Sequence, residues 1–211
     1  TGVQTCALPI FDMKTGRPVE TEVSARVRAG EQIELWPGQW GGKNWAHASF
    51  NPETGLLYAN TMHNPRLVKF ETVEYKVGQR YVGLQNAPAE AAPFRPIAHV
   101  DAVEPLTGKQ KWRVPIMDIP HYSAVLTTAG GLLFTGKETG EFVAYDLDSG
   151  NQLWQFQTTS GINAQPITFT HKGRQYVAIQ SGLGGVNVVR MGPQLANVPR
   201  GGSVWVFAVQ E

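Results

Sequence analysis

Gly140 to Trp154 reads GEFVAYDLDSGNQLW, and His99 to Trp112 (HVDAVEPLTGKQKW) repeats its plan at an offset of 42 residues. Ala102 falls on Ala144, Glu104 on Asp146, Thr107 on Ser149, Gly108 on Gly150 and Trp112 on Trp154. In both copies an apolar strand runs into an acidic turn, a Thr/Ser-Gly pair reverses the chain, and a Trp follows four residues after the Gly. Two shorter echoes come earlier, at Asp12 to Gly16 (DMKTG) and Asn51 to Gly55 (NPETG). The four acidic or amide positions are spaced 39, 53 and 42 residues apart. The chain is a repeat protein.

Helical repeats of similar period need good helix formers with a 3.6-residue periodicity. These units instead contain short apolar strands broken by Gly, Pro, Asn and Asp. Units of about 40–45 residues with four strands each lie in the β-propeller range. The fold class expected is all-β, built of four-stranded antiparallel blades that bury their faces against one another.

Composition agrees. Hydrophobic content of 42% supports a packed core, and 23 Gly with 14 Pro suit tight turns better than long helices. A formal net charge of +1, with no basic run, gives no reason to expect nucleic acid. No apolar run reaches the roughly 18 residues of a membrane span. The chain opens on Thr1, and Thr1 to Ile10 (TGVQTCALPI) lacks the strand pattern its position calls for. It is similar to translated adapter sequence and is read as a non-native leader, with the propeller segment running over residues 11–211. Cys6, the single cysteine, lies in that leader and carries no redox information.

Along the chain, Glu20 to Gln32 reads as a surface connection, with Val23 to Val27 a candidate strand. Leu35 to Trp45 (LWPGQWGGKNW) sets three indoles among dense glycines and cannot be a regular element. A hairpin is expected around Asn51–Gly55. A second is expected from Val68–Tyr75 and Tyr81–Leu84, followed by a surface loop over Asn86–Pro96. From Ile97 strands follow one another regularly to Gln180. Gly182 to Gly192 is a glycine-dense break, and Gly202 to Val209 is a last strand. Some three and a half to four blade units are expected, in an open arc.

The Ala-x-Asp-x-x-Thr/Ser-Gly-x-x-x-Trp unit resembles the tryptophan-docking repeat of the pyrroloquinoline quinone (PQQ)-dependent alcohol dehydrogenases. LTTAGGLLFTG (126–136), SGINAQPITF (160–169) and QYVAIQSGLGG (175–185) look like the same family in the same order. The resemblance implies the C-terminal part of such a protein, about half of an eight-bladed ring with PQQ on its axis. It also implies a periplasmic enzyme that oxidises a small alcohol and passes electrons to a cytochrome c-type acceptor. Trp112 and Trp154 would dock between adjacent blades. In this family a hydride moves from the alcohol carbon to the quinone, Ca²⁺ or a lanthanide polarises the acceptor carbonyl, and an Asp takes the proton. The metal ligands, that base and the vicinal disulfide lie earlier in such proteins and have no counterpart here. These 211 residues are therefore expected to be inactive alone.

What the resemblance places here is cofactor wall. Asn44 matches an Asn whose amide hydrogen-bonds the quinone, and Trp45 is its neighbour. Gly185 matches a Gly that contacts PQQ, whereas Val186 replaces the Trp found beside it in methanol-oxidising relatives. Tyr122 likewise stands where those relatives carry a Trp, so a methanol-type pocket is not expected. The competing reading is a non-catalytic propeller scaffold of the outer-membrane assembly type, which would have no need of a polar, Trp-rich axial wall. A WD-type module is weaker, because its Gly-His and Trp-Asp pairs are missing. The spacing of Gly182, Gly184 and Gly185 is not a dinucleotide fingerprint, and neither GxxxxGK[ST] nor GxSxG occurs. The five histidines (47, 63, 99, 121, 171) lack metal-ligand spacing and read as surface or loop residues.

Overall fold

The computed structural model describes residues 10–38, 40–79, 81–88, 96–184 and 192–208. In chain order its elements begin β1 (Ile10–Phe11), β2 (Pro18–Val19), α1 (Glu22–Arg28) and β3 (Ile33–Leu35). Next come β4 (Ser49–Asn51), β5 (Leu56–Met62), β6 (Arg66–Phe70) and β7 (Leu84–Pro88). Then follow β8 (Ala98–Val103), β9 (Gln110–Met117), β10 (Leu126–Thr127) and β11 (Leu132–Gly136). The last are β12 (Glu141–Asp146), β13 (Gln152–Gln157), β14 (Ile167–His171), β15 (Arg174–Ser181) and β16 (Ser203–Phe207). They divide between two compact units, one drawn from residues 1–42 and 63–94 and the other from 43–62 and 95–211.

The smaller unit holds the hairpin β1-β2, the antiparallel sheet β3-β6-β7 and helix α1. The helix corrects the sequence reading of Val23–Val27 as a candidate strand. Val23 and Val27 lie four apart, a spacing that fits alternation and a helix face equally well. The cap decides: Thr21 Oγ1 accepts the Ser24 N–H at 3.2 Å, and Val27 packs with Ile33 and Val68. The second hairpin also shifts. Its strands are β6 and β7, so Leu84 to Pro88, partly assigned to a loop, pairs along its length with Arg66 to Phe70.

The larger unit is built of blades. Strands β4-β5-β8-β9 form one four-stranded antiparallel sheet and β10-β11-β12-β13 a second, while β14-β15-β16 make a three-stranded sheet. The expected four-stranded blade is therefore complete twice among the described residues. The first blade is interrupted between β5 and β8 by residues of the smaller unit, which explains the long 53-residue interval.

The repeated turn has one construction. Asp146 Oδ1 accepts the N–H groups of Asp148 (3.1 Å) and Ser149 (2.8 Å), and the Gly150 N–H returns to Asp146 O at 2.9 Å. Asn51 does the same for Glu53 and Thr54. The closing glycines Gly16, Gly55, Gly108 and Gly150 all have φ between 66° and 73°, a conformation open to Gly at no steric cost.

Between the two complete blades lies the main core. Leu56, Tyr58, Val100 and Ala102 pack with Val125, Leu133, Val143 and Tyr145. Trp112 closes it from β9, donating Nε1–H to Leu147 O at 2.9 Å and lying against Gly150 of the next blade. That is the docking role expected of it. Trp154, its repeat partner, meets Phe207 edge-on at 5.2 Å and stays 38% exposed. It lines an apolar cleft of about 560 Å³ with Phe134, Val177 and Phe207.

Candidate functional site

Two segments leading into first strands come together in the larger unit. Residues 43–48 precede β4 and residues 118–125 precede β10. The two strands run side by side: Val125 N–H donates to His47 O at 3.1 Å, and the Ser49 and Thr127 hydroxyls are 2.7 Å apart. Neither segment is in a ladder, so its polar backbone needs other partners. Lys43 Nζ donates to Ala46 O at 2.5 Å and to Asn44 O at 3.2 Å, folding the first segment on itself.

Trp45 and Tyr122 meet here. Their ring centroids are 6.2 Å apart and their planes 10° from parallel, an offset stack. Tyr122 is 4% exposed and Trp45 is 60% exposed, so the tyrosine is the buried base of the pair and the indole its open surface. Asn44 is half-buried, and its Oδ1 accepts the Trp45 N–H at 2.8 Å. This local bond fixes the orientation of the Asn amide. Gly185 and Val186 lie outside the described residues. Three of the five proposed site residues are thus brought together.

Behind Tyr122 lies a feature the sequence reading missed. His121 and Glu138 are both fully buried, with Nδ1 and Oε2 3.0 Å apart. His121 lies in an irregular segment, in keeping with its reading as a surface or loop residue, but it is buried; His99, buried within β8, overturns that reading. No local signal could have paired them, because Glu138 stands in a polar turn (KETG) 17 residues away. Among the described residues no cluster of three or more His, Cys, Asp or Glu side chains is arranged to hold a metal.

Residues 115–177 match the family model described as "PQQ: Glucose/ethanol/alcohol dehydrogenase, beta-propeller domain". The chain is 37% identical over 207 residues to a quinoprotein ethanol dehydrogenase of Pseudomonas aeruginosa, covering 93% of itself and 33% of that protein. It is also 37% identical over 209 residues to a 1-butanol dehydrogenase (quinone) of Thauera butanivorans, covering 93% of itself and 32% of that protein. Among solved structures it superposes on a europium-containing methanol dehydrogenase with a TM-score of 0.79 at 30% identity, over 94% of this chain and 38% of that one. The blades of this chain are similar in fold to those of the PQQ-dependent dehydrogenases. It is a relative of the quinoprotein alcohol dehydrogenases and spans about a third of the length of those it matches.

Proposed function

We propose that this chain supplies one wall of the cofactor site in a quinoprotein that oxidises a primary or related alcohol to the aldehyde, with PQQ as hydride acceptor. The observation that carries the reading is the Trp45–Tyr122 stack at the head of two adjoining first strands. A planar, carboxylate-rich quinone suits an exposed indole face backed by a second, buried ring. Asn44 adds an uncharged amide donor beside it, able to bond quinone oxygens without bringing a competing charge. Gly185 and Val186 complete the wall on the motif alone.

When bound, PQQ accepts the hydride, and Ca²⁺ or a lanthanide polarises its reacting carbonyl. The residues of this chain do not take part in bond making. They bind the ring, orient it through Asn44 and cover one face against water. The catalytic base and metal ligands belong to residues outside this chain. Periplasmic location and a cytochrome c-type acceptor are part of the same proposal.

The test is a PQQ titration of the chain followed by tryptophan fluorescence, in wild type and Trp45→Phe. Quenching that disappears in the variant is expected. Quenching unchanged by the substitution would overturn the cofactor reading in favour of a scaffold. With PQQ, Ca²⁺ or a lanthanide and an artificial acceptor, the chain alone is expected to show no alcohol oxidation. Measurable turnover would refute the placement of the reacting groups elsewhere.

A further inference from the structure

Residues 121–125 follow an irregular path between β9 and β10, yet His121 and Tyr122 are held at three separate points. Asn60 Nδ2, from β5, donates to His121 O at 2.9 Å. The His121 ring stands between Glu138 Oε2 at 3.0 Å and Thr135 Oγ1 at 3.5 Å. Glu138 Oε1 accepts the Tyr122 N–H at 2.6 Å, and Asn163, with its amide nitrogen turned inward, donates to the same oxygen at 3.3 Å. One carboxyl group therefore spans the side chain of His121 and the backbone of Tyr122.

A buried ionisable pair is weak as a source of stability, since apolar residues of similar volume often do as well or better. It serves better as a means of holding one geometry. Here the geometry held is the backbone of the residue whose ring supports Trp45. We propose that the His121–Glu138 pair fixes Tyr122 and through it the plane of Trp45, making Glu138 a positioning residue for the aromatic wall. The consequence for PQQ rests on the function proposed above; the mechanical link from Glu138 to Trp45 does not.

Fluorine NMR of the chain labelled with fluorotryptophan tests the link, with the Trp45 signal assigned by its loss in Trp45→Phe. Glu138→Ala is expected to move the Trp45 signal more than those of Trp112 and Trp205. It should also weaken PQQ binding about tenfold, the scale of one lost hydrogen bond to a buried carboxyl. Glu138→Gln keeps an acceptor for the Tyr122 N–H and should restore both properties. A Trp45 signal unmoved in folded Glu138→Ala overturns the proposal. If that variant does not fold, the double variant His121→Leu/Glu138→Met removes both partners together, and an unmoved signal there overturns it equally. If Glu138→Ala moves Trp45 but PQQ never does, the cofactor reading falls and control of the stack stands. If PQQ moves Trp45 alike in wild type and Glu138→Ala, the positioning role falls and the cofactor reading stands.

Discussion

Replacing Gly150 by Ala tests whether the blades are held together by the Trp112 contact. Gly150 has φ +73°, and an added Cβ would come within 3.0 Å of Trp112 Cδ2 and of Val114 Cγ2. Gly108 is its counterpart in the preceding blade, with φ +70° and nothing within 4 Å of an added Cβ. Both alanines carry the left-handed backbone penalty of about 1–2 kcal/mol. Only Gly150→Ala also forces the docked indole outward, an overpacking cost of about 1–3 kcal/mol. At roughly 2–4 °C per kcal/mol for a chain of this size, its Tm should fall about 2–12 °C further than that of Gly108→Ala. Thermal unfolding followed by circular dichroism measures both. In a Trp112→Leu background the excess should shrink by about 1 kcal/mol, a coupling that a double-mutant cycle resolves. Equal melting points for the two alanines, or no coupling to Trp112, would refute the docking argument.

Other perturbations test the rest of the fold. Tyr145 is buried, which together with nearby Glu141 pushes its pKa up to about 12. The fold favours the protonated phenol, so this stability is complete below about pH 10 and is lost as pH rises towards 12, by about 2–3 kcal/mol. Urea midpoints across that window should show the loss, and Tyr145→Phe should reduce it; an unchanged alkaline limb would refute the assignment. Buried Asp101 accepts two bonds from Arg113, each 2.7 Å, and one from Thr61 at 2.8 Å. Arg113→Ala strands that carboxylate and should cost about 3 kcal/mol, whereas Asp101→Asn/Arg113→Met should cost less. Chemical denaturation decides between them, and the reverse order would sink the reasoning. Strands β14 and β16 expose Ile167, Phe169, Val204 and Val206, and among the described residues β16 pairs only with β15. Such an apolar edge should drive self-association that Val204→Lys/Val206→Lys relieves. A wild-type chain that sediments as a monomer at all concentrations would contradict this.

What could be read in advance was whatever depends on near neighbours. The turns at Asp12, Asn51, Glu104 and Asp146 close through bonds two to four residues long, so their residue types reveal them directly. Their spacing then led to blades, and Trp112 to a contact on the next one. The sequence alone also singled out Asn44, Trp45 and Tyr122, through motifs rather than through any visible link between them. The tertiary structure decided the rest. Val23 and Val27 fit strand and helix alike until packing against Ile33 and Val68 chose. Trp45 and Tyr122 stack because their segments enter neighbouring strands, a contact that no local periodicity encodes. His121 and Glu138 look like ordinary polar residues in a string of letters. They become a buried pair only when a turn folds back over the chain, because the partners that make burial tolerable come from distant strands.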